Sequence, residues 1–94
     1  MNKRVEMRPA ARQDFLEASD WYRTEDVDLN AKFVGAVRET FKSITDRPLS
    51  YPIVSGNFVR RAVVKKFPFS IYFTIDEDLI LVLAIFHDSR NPII

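Results

Sequence analysis

His87 and Arg90 are the residues whose types and spacing could most readily perform chemistry. His87 is the single histidine of the sequence, and it directly follows an apolar run from Leu79 to Phe86. An imidazole titrates at about pH 6.5 and can act as a general acid or base. An arginine three residues later could stabilise a phosphorane-like transition state, so the pair would suit metal-free RNA cleavage through the 2′-hydroxyl. A polar cap that holds the C-terminal tail is the favoured alternative, because no second acid or base is evident.

Four basic residues in the preceding strand pattern form a second candidate site. The pattern runs from Phe58 to Lys66. Strand alternation would place Arg61 and Lys65 on one face, and it would place Arg60 on the other face with Lys66. These charges either protect an edge strand from unwanted pairing or form a cationic surface for phosphates or an acidic protein partner. Both interpretations stay open.

Composition excludes several other kinds of site. The chain has no cysteine, which removes disulfides, thiolate metal ligands and cysteine nucleophiles. With one histidine, metal ligands would have to be carboxylates, and the acidic cluster from Asp76 to Asp78 is better explained as a hairpin turn. Two glycines cannot build a glycine-rich phosphate loop. We therefore expect no metal and no cofactor.

Charge and hydropathy indicate the setting in which the protein works. The 14 basic and 13 acidic residues give a net charge of +1, which makes no case for nucleic-acid binding. The segment from Met1 to Glu6 lacks the apolar stretch of a secretory signal. The longest apolar run is far shorter than the roughly 18–20 residues that span a bilayer, and the absence of cysteine fits a reducing compartment. These features favour a cytoplasmic protein without membrane attachment.

The spacing of apolar residues predicts the elements that must position these candidates. A chain of 94 residues is expected to form one domain over residues 1–94. A short strand precedes a helix that begins near Ala10, and a second helix from Leu29 to Thr45 completes a helical hairpin. An irregular connection over residues 46–57 leads to a three-stranded antiparallel meander. The order β-α-α-β-β-β predicts an α+β fold, with the hairpin packed on one face of a mostly antiparallel four-stranded sheet.

This order and two short motifs resemble the RelE/ParE superfamily of type II toxins. The motifs are the segment from Phe67 to Phe73, which begins Phe-Pro-Phe, and the ending His87-x-x-Arg90-x-Pro92. The resemblance covers nearly the whole chain. It implies a small bacterial toxin, of the kind involved in plasmid stabilisation, that inhibits growth and forms a hetero-oligomer with a cognate ParD-like antitoxin.

The superfamily contains two chemistries, and the sequence favours one of them. RelE-like members are ribosome-dependent mRNA endonucleases, whereas ParE-like members poison DNA gyrase without a known catalytic centre. Endonucleases of the superfamily generally carry an arginine near the position of Ser70 and an aromatic hydroxyl in the tail. The tail here is Asn91-Pro92-Ile93-Ile94 and has no tyrosine. The resemblance therefore favours the ParE-like branch, with DNA gyrase as the target.

The candidate contacts follow from this assignment. Four polar residues are expected to contact the target, namely Arg60, Arg61, His87 and Arg90. Three apolar residues are expected to be exposed and to bind the antitoxin, namely Trp21, Leu49 and Ile53. The alternative is that they close the core. In the alternative of an mRNA endonuclease, which would bind nucleic acid directly, His87 acts as acid or base while Arg61 and Arg90 hold the phosphate. A further alternative is a fold that has lost toxicity and still binds its antitoxin.

Overall fold

The structure, a computed structural model, describes residues 3–90. The elements in chain order are β1 (Arg4–Met7), α1 (Pro9–Glu25), α2 (Val27–Asp46), β2 (Ile53–Ser55), β3 (Val59–Val63), β4 (Phe69–Asp76) and β5 (Leu79–His87), and a short 3-10 turn lies between α2 and β2. Pro92 of the family motif and the tail over residues 91–94 lie outside the described residues.

The two helices form the expected hairpin, with one residue between them. Pro9 begins α1, since its fixed φ and missing N–H suit the first turn of a helix. Asp26 has extended backbone, and its carboxylate accepts a hydrogen bond from the Asp28 N–H at 2.8 Å, which caps α2. Asn30 then ties the two helices together by donating to the Ser19 carbonyl at 2.7 Å. Within residues 3–90, neither helix is long and apolar enough to span a bilayer.

Both helices pack on one face of a five-stranded mixed sheet with the order β1-β5-β4-β3-β2. β1 pairs in parallel with β5, and the other neighbours are antiparallel. The predicted fold class is confirmed, with one strand more than the four expected. The additional strand is β2, where Ile53 pairs with Arg60 before the register shifts. A strand of three residues is too short for its period-two pattern to be recognised in the sequence.

β3 is shorter than the basic strand predicted from the sequence. It ends at Val63, and Lys65 and Lys66 lie in the turn that leads to β4. The prediction that these lysines alternate with Arg60 and Arg61 along a strand is therefore wrong. The reason is the backbone of Lys66, whose φ of 71° lies in the left-handed region and cannot continue a strand.

The main hydrophobic core lies between the helices and the sheet. Ile71 and Phe73 of β4 are both fully buried there. Phe33 of α2 is also fully buried, and its ring centroid lies 5.3 Å from that of Phe69. Burying a side chain of this size stabilises the fold by roughly 1.5–3 kcal/mol. No described helix covers the opposite side of the sheet, the open face, which carries a smaller cluster of Val59, Tyr72, Leu83 and Ala84.

Two different elements close the outer edge of β5. β1 pairs with its first half, from Leu79 to Val82. Further along, α1 reaches the edge, where Oδ2 of Asp14 accepts a hydrogen bond from the Ile85 N–H at 3.1 Å. Burial raises the pKa of the Asp14 carboxyl above its ordinary value of 3.8, and the Ile85 hydrogen bond and the charge of Arg90 offset part of that rise. Asp14 thus accepts a hydrogen bond from the part of the β5 edge that does not pair with β1.

Replacing Asp14 should reveal both its hydrogen bond and its charge. Asp14→Ala should lower the free energy of unfolding by roughly 1 kcal/mol or more, because the buried Ile85 N–H loses its acceptor. Asp14→Asn is the matched control, since it keeps an acceptor oxygen and removes the charge. Urea denaturation of both variants and the wild type measures the difference.

The pH dependence of these variants has a definite sign. A raised pKa means that the folded state binds the proton more tightly than the unfolded state. The stability contributed by proton binding at Asp14 is therefore fully present below pH 3.8 and is lost as the pH rises through its folded-state pKa. Asp14→Asn should gain stability relative to the wild type between about pH 3 and pH 7. A difference that stays constant over this range would contradict the assignment.

Candidate functional site

The sheet separates residues that the sequence analysis expected to act together. Arg61 pairs with Tyr72 on the open face, whereas His87 pairs with Phe69 on the face beneath the helices. The ring centroids of Phe69 and His87 are 5.2 Å apart. Arg61 and His87 therefore do not share a common space, and the described residues do not assemble the catalytic set expected of an mRNA endonuclease.

A single extra residue in β5 places His87 beneath the helices. Phe73 pairs with Val82 and Tyr72 pairs with Ala84, so Leu83 has no partner across the strand pair. Leu83 and Ala84 consequently both belong to the cluster on the open face. Such a bulge reverses the alternation of every residue that follows it. Without it, His87 would face the same side as Arg61.

Arg61 is held on the open face by a small polar network. Its Nε donates to Oγ of Ser70 at 3.0 Å, and the Ser70 hydroxyl donates to Oδ1 of Asp88 at 2.6 Å. Nη2 of Arg61 also lies 3.3 Å from Oδ1 of Asp88, in an ion pair that remains partly exposed. Because Ser70 is fully buried and satisfied as both donor and acceptor, it fixes the guanidinium and ties the segment after β5 to the sheet.

Arg90 lies over an aromatic ring of the same open face. Its guanidinium carbon is 4.0 Å from the centroid of the Phe86 ring, and that ring lies 5.7 Å from the ring of Tyr72. A turn after β5 sets this position, since the Arg90 N–H donates to the His87 carbonyl at 2.9 Å. A cation–π contact at an exposed site contributes about 0.5–1 kcal/mol. The open face therefore presents two arginines beside two aromatic rings.

His87 lies at an aromatic pocket on the helix side of the sheet. This aromatic pocket has a volume of about 310 Å³ and is lined by Trp21, Tyr22, Pro68, Phe69 and His87. Nδ1 of His87 accepts a hydrogen bond from the Ser89 N–H at 3.0 Å, so the proton of the neutral ring lies on Nε2. Trp21 and His87, which were expected to meet different partners, thus line one pocket.

Arg60 donates a hydrogen bond to the loop that precedes β2. Its Nη1 donates to the carbonyl of Tyr51 at 2.6 Å, and the Leu49 carbonyl lies at the longer distance of 3.4 Å. The guanidinium therefore holds the segment before β2 against the body and does not join Arg61. Leu49 and Ile53 in this region are 74% and 46% exposed, and Trp21 is 58% exposed. All three apolar residues predicted to meet the antitoxin are accessible to a partner.

The described residues offer surfaces for binding and no metal centre. Within residues 3–90, no group of three or more histidine, aspartate or glutamate side chains could hold a metal ion. The open face combines guanidinium groups with aromatic rings, and the aromatic pocket is almost entirely apolar. Side chains of these types commonly anchor protein partners.

Sequence reasoning missed two members of the open-face network. Ser70 was noted as a departure from the endonuclease pattern, and Asp88 was given no role. The available signal was a single serine among the large apolar residues of β4, beside the basic β3. Polar residues on neighbouring strands interact when they share a face. Without the register, however, the sequence does not show that Ser70 lies beside Arg61.

Comparison with known proteins agrees with this architecture. The model of the family described as the ParE toxin of type II toxin-antitoxin system, parDE, matches residues 5–92. Among solved structures, a chain described as the chromosomal ParDE TA system from P. aeruginosa aligns with a TM-score of 0.78 at 19% sequence identity. The alignment covers 90% of this chain and 95% of that chain, and at this identity it shows a shared fold. A search of curated proteins gave no match.

Removing the Ser70 hydroxyl should test the network around Arg61. Ser70→Ala should lower the free energy of unfolding by about 1–2 kcal/mol, because it removes two hydrogen bonds from a buried position. Thr74→Ala is the matched control, since Thr74 lies on the same face of β4 and its hydroxyl has no hydrogen-bond partner within residues 3–90. Urea denaturation compares the two. An equal loss in both variants would show that the network adds nothing to stability.

Proposed function

We propose that this chain, which belongs to the ParE toxin family of type II toxin–antitoxin systems, inhibits bacterial growth by binding DNA gyrase and trapping it on cleaved DNA. The chain acts in the cytoplasm as one domain, and a cognate antitoxin holds it inactive. The family match over residues 5–92 supports the antitoxin partnership. The choice of gyrase over the ribosome depends on the geometry of the candidate site.

The separation of His87 from Arg61 is the observation that carries this choice. Metal-free RNA cleavage requires a proton-transferring group and a phosphate-stabilising group around one space. Here the imidazole lies at the aromatic pocket, while Arg61 is held on the other side of the sheet by Ser70 and Asp88. This arrangement supports a toxin that binds its target and does not cleave it.

The open face is the surface that we assign to the target. Arg61 and Arg90 lie there with the rings of Tyr72 and Phe86. Arginine and tyrosine are enriched among the residues that dominate binding energy at protein interfaces. His87 contributes at the aromatic pocket, and Arg60 acts indirectly by holding the loop before β2.

An mRNA endonuclease remains the second candidate, because one observation favours it. Arg61 and Arg90 share a face with two aromatic rings. Proteins often bind single-stranded nucleic acid by pairing cations with phosphates and stacking bases on aromatic side chains. This function would require an acid or base other than His87 on the open face, or a rearrangement that brings His87 to it.

The gyrase proposal predicts a direct effect on supercoiling. Purified protein, refolded free of antitoxin, should stop gyrase from supercoiling relaxed plasmid and should cause linear, enzyme-linked DNA to accumulate. Arg90→Ala should raise the concentration required by about fivefold or more, because arginine is enriched among the interface residues whose truncation costs over about 1 kcal/mol. Arg23→Ala is the matched control, since Arg23 is an exposed arginine of α1 paired with Asp20.

Three results would decide between the candidates. Unchanged supercoiling by folded protein would overturn the gyrase proposal. Ribosome-dependent mRNA cleavage that falls about 100-fold in His87→Gln would establish the endonuclease. Harmless expression without antitoxin, with neither activity, would identify a fold that has lost toxicity.

Trp21 should contribute to binding the antitoxin. Trp21→Ala should weaken the complex by about tenfold or more, since tryptophan is enriched among the residues that dominate interface energies and the exposed Trp21 lines the aromatic pocket. Val27→Ala removes another exposed apolar side chain, which is 70% accessible, and serves as the control. Isothermal titration with the cognate antitoxin measures the affinity of both variants. If Trp21→Ala bound the antitoxin as tightly as the wild type does, Trp21 would not belong to the interface.

A further inference from the structure

The aromatic pocket is lined without any acidic, lysine or arginine side chain. Four of its five lining residues are tryptophan, tyrosine, proline and phenylalanine, and the fifth is His87. The imidazole is neutral when its Nδ1 accepts the hydrogen bond from the Ser89 N–H. An ion that entered such a pocket would lose its hydration without meeting an opposite charge, which is unfavourable. The pocket is therefore suited to an uncharged molecule.

The rings around the aromatic pocket are arranged to hold a flat molecule. The ring centroids of Trp21 and Tyr22 are 5.1 Å apart with an interplanar angle of 80°. Those of Phe69 and His87 are 5.2 Å apart with an interplanar angle of 77°. Because the rings of each pair are nearly perpendicular, a flat aromatic ring can stack on one and meet the edge of the other. These are the two arrangements that aromatic rings prefer.

The volume of the aromatic pocket indicates how large this molecule is. An apolar cavity of about 150 Å³ in another protein binds benzene. The aromatic pocket, at about 310 Å³, is roughly twice as large and has room for two fused rings. Sites for small molecules have volumes of about 300–1,000 Å³, so this pocket lies at the lower end of that range. Its size therefore favours a small ligand of two fused rings.

The hydroxyl of Tyr22 supplies an independent indication of a ligand. Tyr22 is only 6% exposed, yet its hydroxyl forms no hydrogen bond within residues 3–90. In that part of the chain every fully buried polar side-chain atom has a partner, so this hydroxyl reaches the surface, and Tyr22 lines the aromatic pocket. Burial raises the pKa of Tyr22 above its ordinary value of 10.0. The hydroxyl therefore keeps its proton at neutral pH and can donate it to an acceptor that the described chain does not provide.

His87 supplies a second donor among the residues that line the pocket. With Nδ1 accepting from Ser89, the proton of the neutral ring lies on Nε2. Nε2 forms no hydrogen bond within residues 3–90. A carbonyl oxygen has two lone pairs and can accept from an O–H and an N–H at once. Apolar walls with a few polar groups that fix orientation are typical of small-molecule sites.

We propose that the aromatic pocket binds a small, uncharged, planar molecule of two fused rings that carries a carbonyl group. The rings of the ligand pack against Trp21 and Phe69, and its oxygen accepts hydrogen bonds from Tyr22 and His87. The tryptophan of a protein partner matches the pocket less well, because an indole N–H only donates. This site goes beyond the proposed gyrase target and does not depend on it.

Two ligands with one ring skeleton test the pocket in the full chain, free of antitoxin. The probe is indanone, which has two fused rings and a carbonyl group. Indene has the same skeleton without the oxygen and is the matched control. Trp21 is the single tryptophan of the sequence and lines the pocket, so its indole N–H gives one isolated reporter resonance in a proton–nitrogen correlation spectrum. Indanone should shift this resonance until the shift saturates.

Variants that remove one donor should separate the two ligands. Tyr22→Phe should weaken indanone binding about threefold to tenfold, the factor that one net hydrogen bond contributes, and should leave indene binding unchanged within about twofold. His87→Phe keeps a ring beside Phe69 and removes the Nε2–H, so it should also weaken indanone. Tyr72→Phe removes the same hydroxyl group from a tyrosine of the open face, and it should change neither affinity.

Several results would overturn the proposal. The first is that indanone produces no saturable shift of the Trp21 resonance. The second is that Tyr22→Phe and His87→Phe both leave indanone binding unchanged, or that Tyr22→Phe weakens indanone and indene equally. The third is that Tyr72→Phe has the same effect as Tyr22→Phe. If the binding of indole depended on the Tyr22 hydroxyl and that of indanone did not, the pocket would instead accept a donor such as the tryptophan of a protein partner. The titration contains no gyrase, so its result is separate from that of the supercoiling assay.

Discussion

The pairing of β4 with β5 is the interaction on which the rest of the molecule depends. These two interior strands assign each of their side chains to one side of the sheet, because side chains alternate along a strand. Ile71 and Phe73 are thereby buried beneath the helices, while Ser70 and Tyr72 face away from them. A slip of one residue would exchange these sets, placing polar groups under the helices and aromatic groups in water.

The register of this pairing also determines which polar groups can act together. The bulge at Leu83 lets β5 contribute two consecutive residues to the open face and then returns Ile85 to the main core. His87 consequently joins Phe69 and the aromatic pocket. The bulge, which is one extra residue in β5, thereby separates His87, a potential acid or base, from the arginines. It does so without changing which side chains are present. The chemistry open to the molecule is therefore limited by backbone geometry more than by the presence of suitable side chains.

The sequence was sufficient to predict the helices and strands but not the register in which the strands pair. Helical spacing predicted the hairpin, and the strand patterns that follow it predicted the meander, because both kinds of pattern are local. The bulge at Leu83 is invisible in a run that is apolar on both sides. The environments of the basic residues could not be predicted from the sequence either. Arg60 and Arg61 form hydrogen bonds within the protein, whereas Lys65 and Lys66 line a groove. The charge pattern from Phe58 to Lys66 therefore identified the cations without showing which of them the protein itself engages.

The parallel pairing of β1 with β5 has a consequence for how the protein is made. The first strand of the chain is completed by the last, and the bond from Ile85 to Asp14 spans 71 positions in sequence. Such distant contacts slow folding, because the intervening chain must be ordered before they form. During synthesis, β1 and α1 emerge long before their partner strand exists. A nascent chain that stops short of β5 therefore lacks the strand that pairs with β1 and carries Phe86. The open face, where Arg90 lies over Phe86, therefore forms only after translation has passed β5.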